Sequence, residues 1–570
     1  MQRGTDRISL LETDNRVLED VMSAPEQASV VKLINGVDAA EYVESTINKA
    51  GYNQDVDSAY NSMFFEKANL AVSGSRGYFA DGGRVRFVYQ GPNTTFTFEN
   101  GTVLTLENKA SVKVPMTGVV DGESFYAAFC NPDKAAITSD DAKIASATID
   151  AASDGVTVEG YPDPVIITDD GIVSGYYLTG EGFEDVAVIV LLAFENELPS
   201  EFQAVCADFF AEAAAAGKTK LVIDFQGNGG GYILQGYDFY RQLFPQVQED
   251  GFSRWKGNDA YISIAEIVSE AVADLNPATS GDANLISYYE SWFNYRYDLN
   301  VSNENFLTFE DKFAPHVHRG TPYTSIMRWN LSDPLTTVNE TFGMGMEISG
   351  YGSLANLTQP FKAENIVMLY DGVCASTCTL ASEMLRIHGG VKSVAFGGRP
   401  KAGPIQGVGG VKGAQVLQFS NIYGYATDAL SETKDPVQRA ALSRYSDLPM
   451  RRSTAAAVNV RDQILDAKSD LPAQFVAEDV DCRLYWTLPM VQDVSEIWKA
   501  TADAAFNGAK CANGGISKPK GSKARRAPAG VLPPPPARPA KRRSESIDRR
   551  ARVPVDSPAW IAIHEQKAVP

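Results

Sequence analysis

Several functional classes are excluded by what this chain lacks. It has no surplus of basic charge: 51 Lys and Arg stand against 71 Asp and Glu, a net charge of −20. Nucleic-acid binding needs a basic face, so no nucleic-acid partner is expected. It has no apolar run of membrane length. The longest, Val186 to Phe194, is less than half of the ~20 residues that a spanning helix takes, so no membrane partner is expected either. The first residues, Met1 to Arg7, are polar and no apolar segment follows them, so the chain shows no signal peptide. Histidine is scarce. The four His are scattered, with no His-Glu-x-x-His, which argues against a metal hydrolase. Cysteine is sparse as well, at six residues, an even number compatible with three disulfides. Cys206 falls on an apolar helical face and reads as a buried free thiol. Cys374 and Cys378 have no second Cys/His pair at zinc spacing.

What is present is a globular composition, 44% hydrophobic and 21% charged, in a chain of 570 residues, long enough for two or three domains. After Cys511 there are 13 Lys and Arg against 4 Asp and Glu, a balance of +9, so the remainder carries −29. The stretch 511–570, with its Pro533-Pro534-Pro535-Pro536 run, reads as a disordered basic tail. Six Asn-x-Ser/Thr sequons, at Asn93, Asn100, Asn300, Asn330, Asn339 and Asn356, pull towards secretion and glycosylation, against the missing signal peptide.

Residues 1–125 read as β-rich with one helix. Ser29 to Ile34 is strand-like, Asn35-Gly36 is a tight-turn signal, and Asp38 can cap a helix over Ala39 to Lys49. Strands are expected over Val85 to Tyr89, Thr94 to Phe98 and Val103 to Leu106, the last two joined at Asn100-Gly101. Such a set suits a small barrel or a PDZ-like module. Residues 126–175 connect it to the next unit. Residues 176–510 then alternate strand and helix. Val186 to Phe194 reads as a doubly buried strand, and Phe202, Val205, Cys206, Phe209 and Phe210 share a helical face. Leu221 to Phe225 and Ile366 to Tyr370 read as further buried strands, the second followed by a helix over Thr379 to His388. An α/β domain with a partly parallel sheet follows. The aromatic-rich stretch 250–360 reads as an irregular insertion over one face.

Two segments carry chemistry. Gln226-Gly227-Asn228-Gly229-Gly230-Gly231 follows a strand, and serial glycines can turn their N–H groups on one point, making an anion hole. No Lys-Ser/Thr follows as a P-loop demands, which leaves an oxyanion hole or a plain flexible turn. Cys374-Ala375-Ser376-Thr377-Cys378-Thr379 lies between a strand and a helix. Ser376 there is either an activated nucleophile at a helix start or an ordinary N-cap.

Together the two segments resemble the tail-specific, or C-terminal-processing, serine peptidase family. The likeness is to its fungal-type branch, related to chlamydial protease-like activity factor. The family pattern of hydrophobic-Asp-hydrophobic-x-x-Asn-Gly-Gly-Gly is met by residues 223–231. The branch's Cys-Ala-Ser-Thr-Cys-Thr is met by residues 374–379, and Gly397 to Pro400, Gly403 to Gln406, Gly409 to Gly413 and Asp481-Cys482-Arg483 extend the match. Leu33 to Ala39 resembles the family's PDZ-like segment. The resemblance implies an α/β fold: a crotonase/ClpP-like ββα core, an N-terminal PDZ-like β-rich domain and a disordered C-terminal tail. It implies a serine endopeptidase acting on peptides or proteins, with no cofactor and no metal. Ser376 would be the nucleophile, and the N–H groups of Gly229 or Gly230 with that of Thr377 would form the oxyanion hole. Glu478 would be the third triad member, with Glu383 and Glu432 as alternatives.

The base is where the match fails. A serine must lose its proton as it attacks. In this branch the base is a His on an Asp-Gly-His segment ahead of the PDZ-like region, and the chain carries no such segment. His316, His318, His388 and His564, with Lys401 and Lys412, are the residues left for that role. The expectation is a secreted enzyme whose chain is truncated here and is inactive or impaired as it stands. A non-catalytic peptide or ligand binder on the same scaffold is the alternative.

Overall fold

Asn35 and Gly36 take φ values of 52° and 79°. Two consecutive left-handed residues make the turn whose twist matches paired strands, and β1 (Val31–Ile34) folds back on β2 (Val37–Asp38) through it. The Asp38 carboxylate then caps α1 (Ala39–Ala50) by accepting from the Ala40 and Glu41 amides. A short helix, α2 (Val56–Asn61), follows. β3 (Asn93–Phe98) and β4 (Val103–Glu107) complete an antiparallel sheet of order β2-β1-β3-β4. Val31, Ile34, Phe96 and Phe98 from this sheet bury against Val43 and Ile47 of α1 and Ala59 and Tyr60 of α2. These are features of a computed structural model of the full chain, which describes residues 28–50, 53–81, 91–109, 116–130, 156–445, 457–469 and 471–516. The strand expected over Val85 to Tyr89 and most of the C-terminal tail lie outside the described residues.

A larger, mixed sheet forms the centre. β5 (Ile166–Ile167), β6 (Val173–Tyr177), β7 (Val186–Leu191) and β8 (Lys220–Asp224) are joined by β14 (Ile366–Tyr370), β15 (Lys392–Phe396), β18 (Cys482–Leu484) and β19 (Asn513–Gly514). The order is β19-β18-β15-β14-β8-β7-β6-β5, parallel from β18 to β7 and antiparallel at both edges. Every residue of β7 and β14 is buried, because the sheet is covered on both faces. Ile189, Leu191, Leu221, Ile223 and Met368 pack under α3 (Pro199–Ala215), α4 (Ile233–Leu243) and α5 (Thr377–Ile387). The alternate residues Val188, Val190, Val222, Val367 and Leu369 pack under α6 (Val494–Ala502) and its Trp498. Among the described residues no helix is long and apolar enough to cross a membrane.

The stretch 250–360 is not the irregular cover that its pattern indicates. β9 (Phe252–Trp255), β10 (Leu299–Asn300) and β13 (Met327–Arg328) join β16 (Gly413–Gln418) and β17 (Ala457–Ile464) in a five-stranded antiparallel sheet, order β10-β13-β9-β17-β16. β11 (His316–His318) and β12 (Thr321–Tyr323) form a separate hairpin. The second sheet is pinned by a buried ionic cluster. Arg461 donates to Asp298 Oδ1 (3.1 Å) and Ser253 Oγ (2.8 Å), and Lys312 Nζ lies 2.7 Å from Asp298 Oδ2. The cluster joins residues far apart in sequence, so no local periodicity announces the sheet.

Candidate active site

The glycine-rich turn leaves the end of β8. The Asp224 carboxylate accepts from Trp498 Nε1 (2.7 Å) and the Gln226 amide (2.9 Å), and its burial raises its pKa to about 7. Gly227, at φ 69°, gives its N–H to Asp371 Oδ2 (2.8 Å). Asn228 fixes the rest. Its Nδ2 donates to the Leu191 carbonyl (2.7 Å), and its Oδ1 accepts from the Gly230 amide (2.9 Å).

The serine turn leaves the end of β14, the strand beside β8. Asp371 Oδ1 accepts from the Val373 amide (2.8 Å), so one buried carboxylate ties both turns together. Burial pushes the Asp371 pKa up, against those hydrogen bonds. The Ala375 amide donates to the Asn228 carbonyl (3.1 Å) and the Ser376 amide to the Val411 carbonyl (2.8 Å). Cys374 and Cys378 are joined in a disulfide across the turn. Ser376 sits at φ 51°, ψ −119°, a region that side-chain-bearing residues rarely enter. Its side chain makes no cap hydrogen bond, so it does not serve as an ordinary N-cap. Among the described residues nothing hydrogen-bonds its Oγ, and 9% of the residue is exposed.

The two turns touch. A Cβ on Gly230 would lie 2.7 Å from Ser376 Cβ and 2.8 Å from the Thr377 nitrogen, an approach only glycine permits. Thr377 Oγ1 donates to the Gly231 carbonyl (2.7 Å). Gly229, Gly230, Ser376 and Thr377 are thus brought together. The amides of the two turns differ: that of Gly230 is taken by Asn228, while those of Gly229 and Thr377 have no partner among the described residues.

The acid and base candidates lie elsewhere. Lys412 Nζ is buried 3.0 Å from Glu478 Oε1 and donates to the Val476 carbonyl (2.7 Å) and Gln406 Oε1 (3.3 Å). Glu478 is also bound by Arg386 and meets Glu383, whose pKa is driven well up by burial and then by Glu478. Glu383 is seven residues along α5 from Ser376, about 10 Å. Lys401 pairs with Glu44, and His388 Nε2 lies 3.1 Å from Asp250. His316 and His318 belong to the β11–β12 hairpin, Glu432 is exposed, and His564 lies outside the described residues. Among the described residues, none of these side chains hydrogen-bonds Ser376.

The cysteines form two disulfides rather than three, Cys374–Cys378 and Cys482–Cys511, with Cys206 and Cys130 buried as free thiols. Sequence reasoning also misses a clamp from α2. Ser58 Oγ donates to the Gly372 carbonyl (2.5 Å). Asn61 Nδ2 donates to the carbonyls of Asp371 (2.6 Å) and Phe396 (2.9 Å), and its Oδ1 accepts from the Gly398 amide (2.6 Å). Asp57 receives Arg399, and the Asp55 amide donates to the Gly409 carbonyl (2.8 Å). The N-terminal unit therefore grips the loops on either side of Ser376. Arg483 holds the 397–403 loop by donating to the carbonyls of Gly397, Arg399, Lys401 and Gly403.

A bent serine at a helix start, packed on a glycine turn, is an arrangement suited to acyl transfer. Comparison with known proteins gives the family. Residues 16–117 match the family described as a CPAF-like PDZ domain. The Peptidase S41 family protein ustP of Aspergillus flavus is 32% identical over 455 residues, covering 74% of this chain and 90% of that protein. The Peptidase S41 family protein phomP1' of Diaporthe leptostromiformis is 28% identical over 539 residues, covering 85% and 77%. The crystal structure of mature CPAF aligns over 89% of this chain and 83% of its own, with a TM-score of 0.42 and 13% identity. The class is that of serine peptidases. Within it, the chain belongs to the peptidase S41 family.

Proposed function

We propose that the chain is a serine endopeptidase in which Ser376 attacks the scissile carbonyl of a peptide or protein. The amides of Gly229 and Thr377 would receive the oxyanion. The observation that carries this reading is the contact of Gly230 with Ser376 and Thr377, which packs the glycine turn against a serine hydroxyl and a Thr377 amide that have no hydrogen-bond partner among the described residues. Gly230 serves by its lack of a side chain, since its own N–H is committed to Asn228. A triad acid touches the base rather than the nucleophile, so Glu478 would act through a base that joins Ser376. Lys401, Lys412 and His388 are bound elsewhere, which supports a chain impaired in turnover as it stands. The two disulfides, with exposed sequons at Asn93, Asn100 and Asn356, support an oxidising, secretory destination.

The test is a fluorophosphonate probe with mass-spectrometric mapping, alongside peptide hydrolysis. Slow labelling at Ser376, absent in S376A, with slow or no turnover is the expected result, because attack on the probe draws on the same missing base as attack on a peptide. Ordinary turnover through Ser376 would refute impairment. A chain that never labels yet holds peptides is the second reading, a non-catalytic binder, which the commitment of Lys401, Lys412 and His388 to other partners favours.

A further inference from the structure

We infer that Cys374 and Cys378 are positioning residues, whose disulfide holds the serine turn in the shape that faces Ser376 towards the glycine amides. The inference rests on Ser376 being the nucleophile. Cys374 lies after β14 and Cys378 in the first turn of α5, and Ser376 is midway between them, so the bond pins strand end to helix start across the bend. Both cysteines are fully buried.

Three observations give the bond this task. Ser376 holds a positive φ, and such a conformation persists only where its surroundings over-determine it. The other restraints on the turn are hydrogen bonds to loops rather than strands: Ala375 to Asn228, Ser376 to Val411, the Gly410 amide to the Cys374 carbonyl (3.1 Å), and Thr377 Oγ1 to the Gly231 carbonyl. Those loops are themselves held by side chains, through Asn228, Asp371 and the α2 clamp. The disulfide is the covalent restraint inside the turn. Its span is also wrong for a stability device. Cross-linking restrains the unfolded chain more as the closed loop grows, and this bond spans 4 residues where Cys482–Cys511 spans 29. The short bond fixes local geometry and the long bond restrains the chain.

The experiment compares the rate of fluorophosphonate labelling at Ser376 with the melting temperature and near-ultraviolet circular dichroism. It uses the wild-type chain, C374A/C378A and C482A/C511A. The expected result is a C374A/C378A chain that keeps the native spectrum but labels ~10-fold or more slowly, as small misplacements of reacting groups do. C482A/C511A should melt earlier yet label at the native rate. Equal labelling of C374A/C378A and wild type overturns the inference while leaving the proposed function intact. If C374A/C378A does not fold, C374S/C378S takes its place. Failure of both pairs to fold also overturns the inference, because the bond is then a stability element. A wild-type chain that never labels overturns the proposed function and this inference with it.

Discussion

At the scale of single residues, Gly230 is the most exacting position. It combines φ 104° with a Cα packed against Ser376 and Thr377. In G230A the new methyl must displace the serine turn or the glycine turn, and the backbone adds a strain of about 1–3 kcal/mol. Labelling of Ser376 by a fluorophosphonate is expected to fall ~100-fold in G230A, with a much smaller loss in urea midpoint. A variant that labels at the native rate would mean that the turns are looser than their packing indicates. The words around Gly230 and Ser376 are legible in sequence because glycine series and small-residue turns are local chemistry. The Asn228 and Asp371 ties are half-legible: Asn228 and Gly227 stand in those words, but their partners, Leu191 and Asp371, are set by the pairing of β7, β8 and β14. The base is not legible at all. A base for Ser376 would have to come by tertiary approach, and Lys412, adjacent to the Val411 whose carbonyl accepts from the Ser376 amide, is drawn by Glu478 into a buried pair instead.

At the scale of elements, β7, β14, α3 and the β1–β2 hairpin follow from period and turn residues alone. The second sheet does not. Two of its strands have two residues each, and β9 pairs with β17 some two hundred residues away, through a register that includes Arg254 and Arg461. α2 is likewise short, yet it does more than its length implies. Its Ala59 and Tyr60 side belongs to the N-terminal core, while Ser58 and Asn61 bind the loops around Ser376. N61A would strand the Asp371 and Phe396 carbonyls and the Gly398 amide without partners for the lost amide group. Unsatisfied buried groups cost about 1–3 kcal/mol each before water relieves them. N61A should therefore lose about 2–3 kcal/mol in chemical denaturation and also slow labelling at Ser376, since the Asp371 segment leads into the serine turn. Unchanged stability together with unchanged labelling would show that the N-terminal unit does not grip the core this way.

At the scale of the whole molecule, buried ionisable groups set how stability responds to pH. Glu290, within the aromatic stretch, has its pKa raised from 4.5 to about 8, first by burial and then by Asp333. Thr336 Oγ1 donates to its Oε2 (2.9 Å) and offsets part of this. Between those two values the folded chain keeps a proton that the unfolded chain has lost. Stability therefore falls as pH rises through that window and is level on either side of it. Asp224, raised to about 7, adds a slope of the same sign over a narrower range. Lys312 acts in the opposite sense: burial lowers its pKa from 10.5 to about 8, so stability recovers as pH climbs between those values. The Glu290 contribution is isolated by E290Q, because Gln has no proton to lose and Thr336 can reverse its hydroxyl to suit it. Urea unfolding of both chains from pH 5 to 9 should show the difference moving in favour of E290Q up to pH 8 and then levelling. The full change is expected to be on the order of 4 kcal/mol. A difference that stays constant with pH would mean that Glu290 is ionised in the folded protein and that the aromatic stretch admits water at its centre.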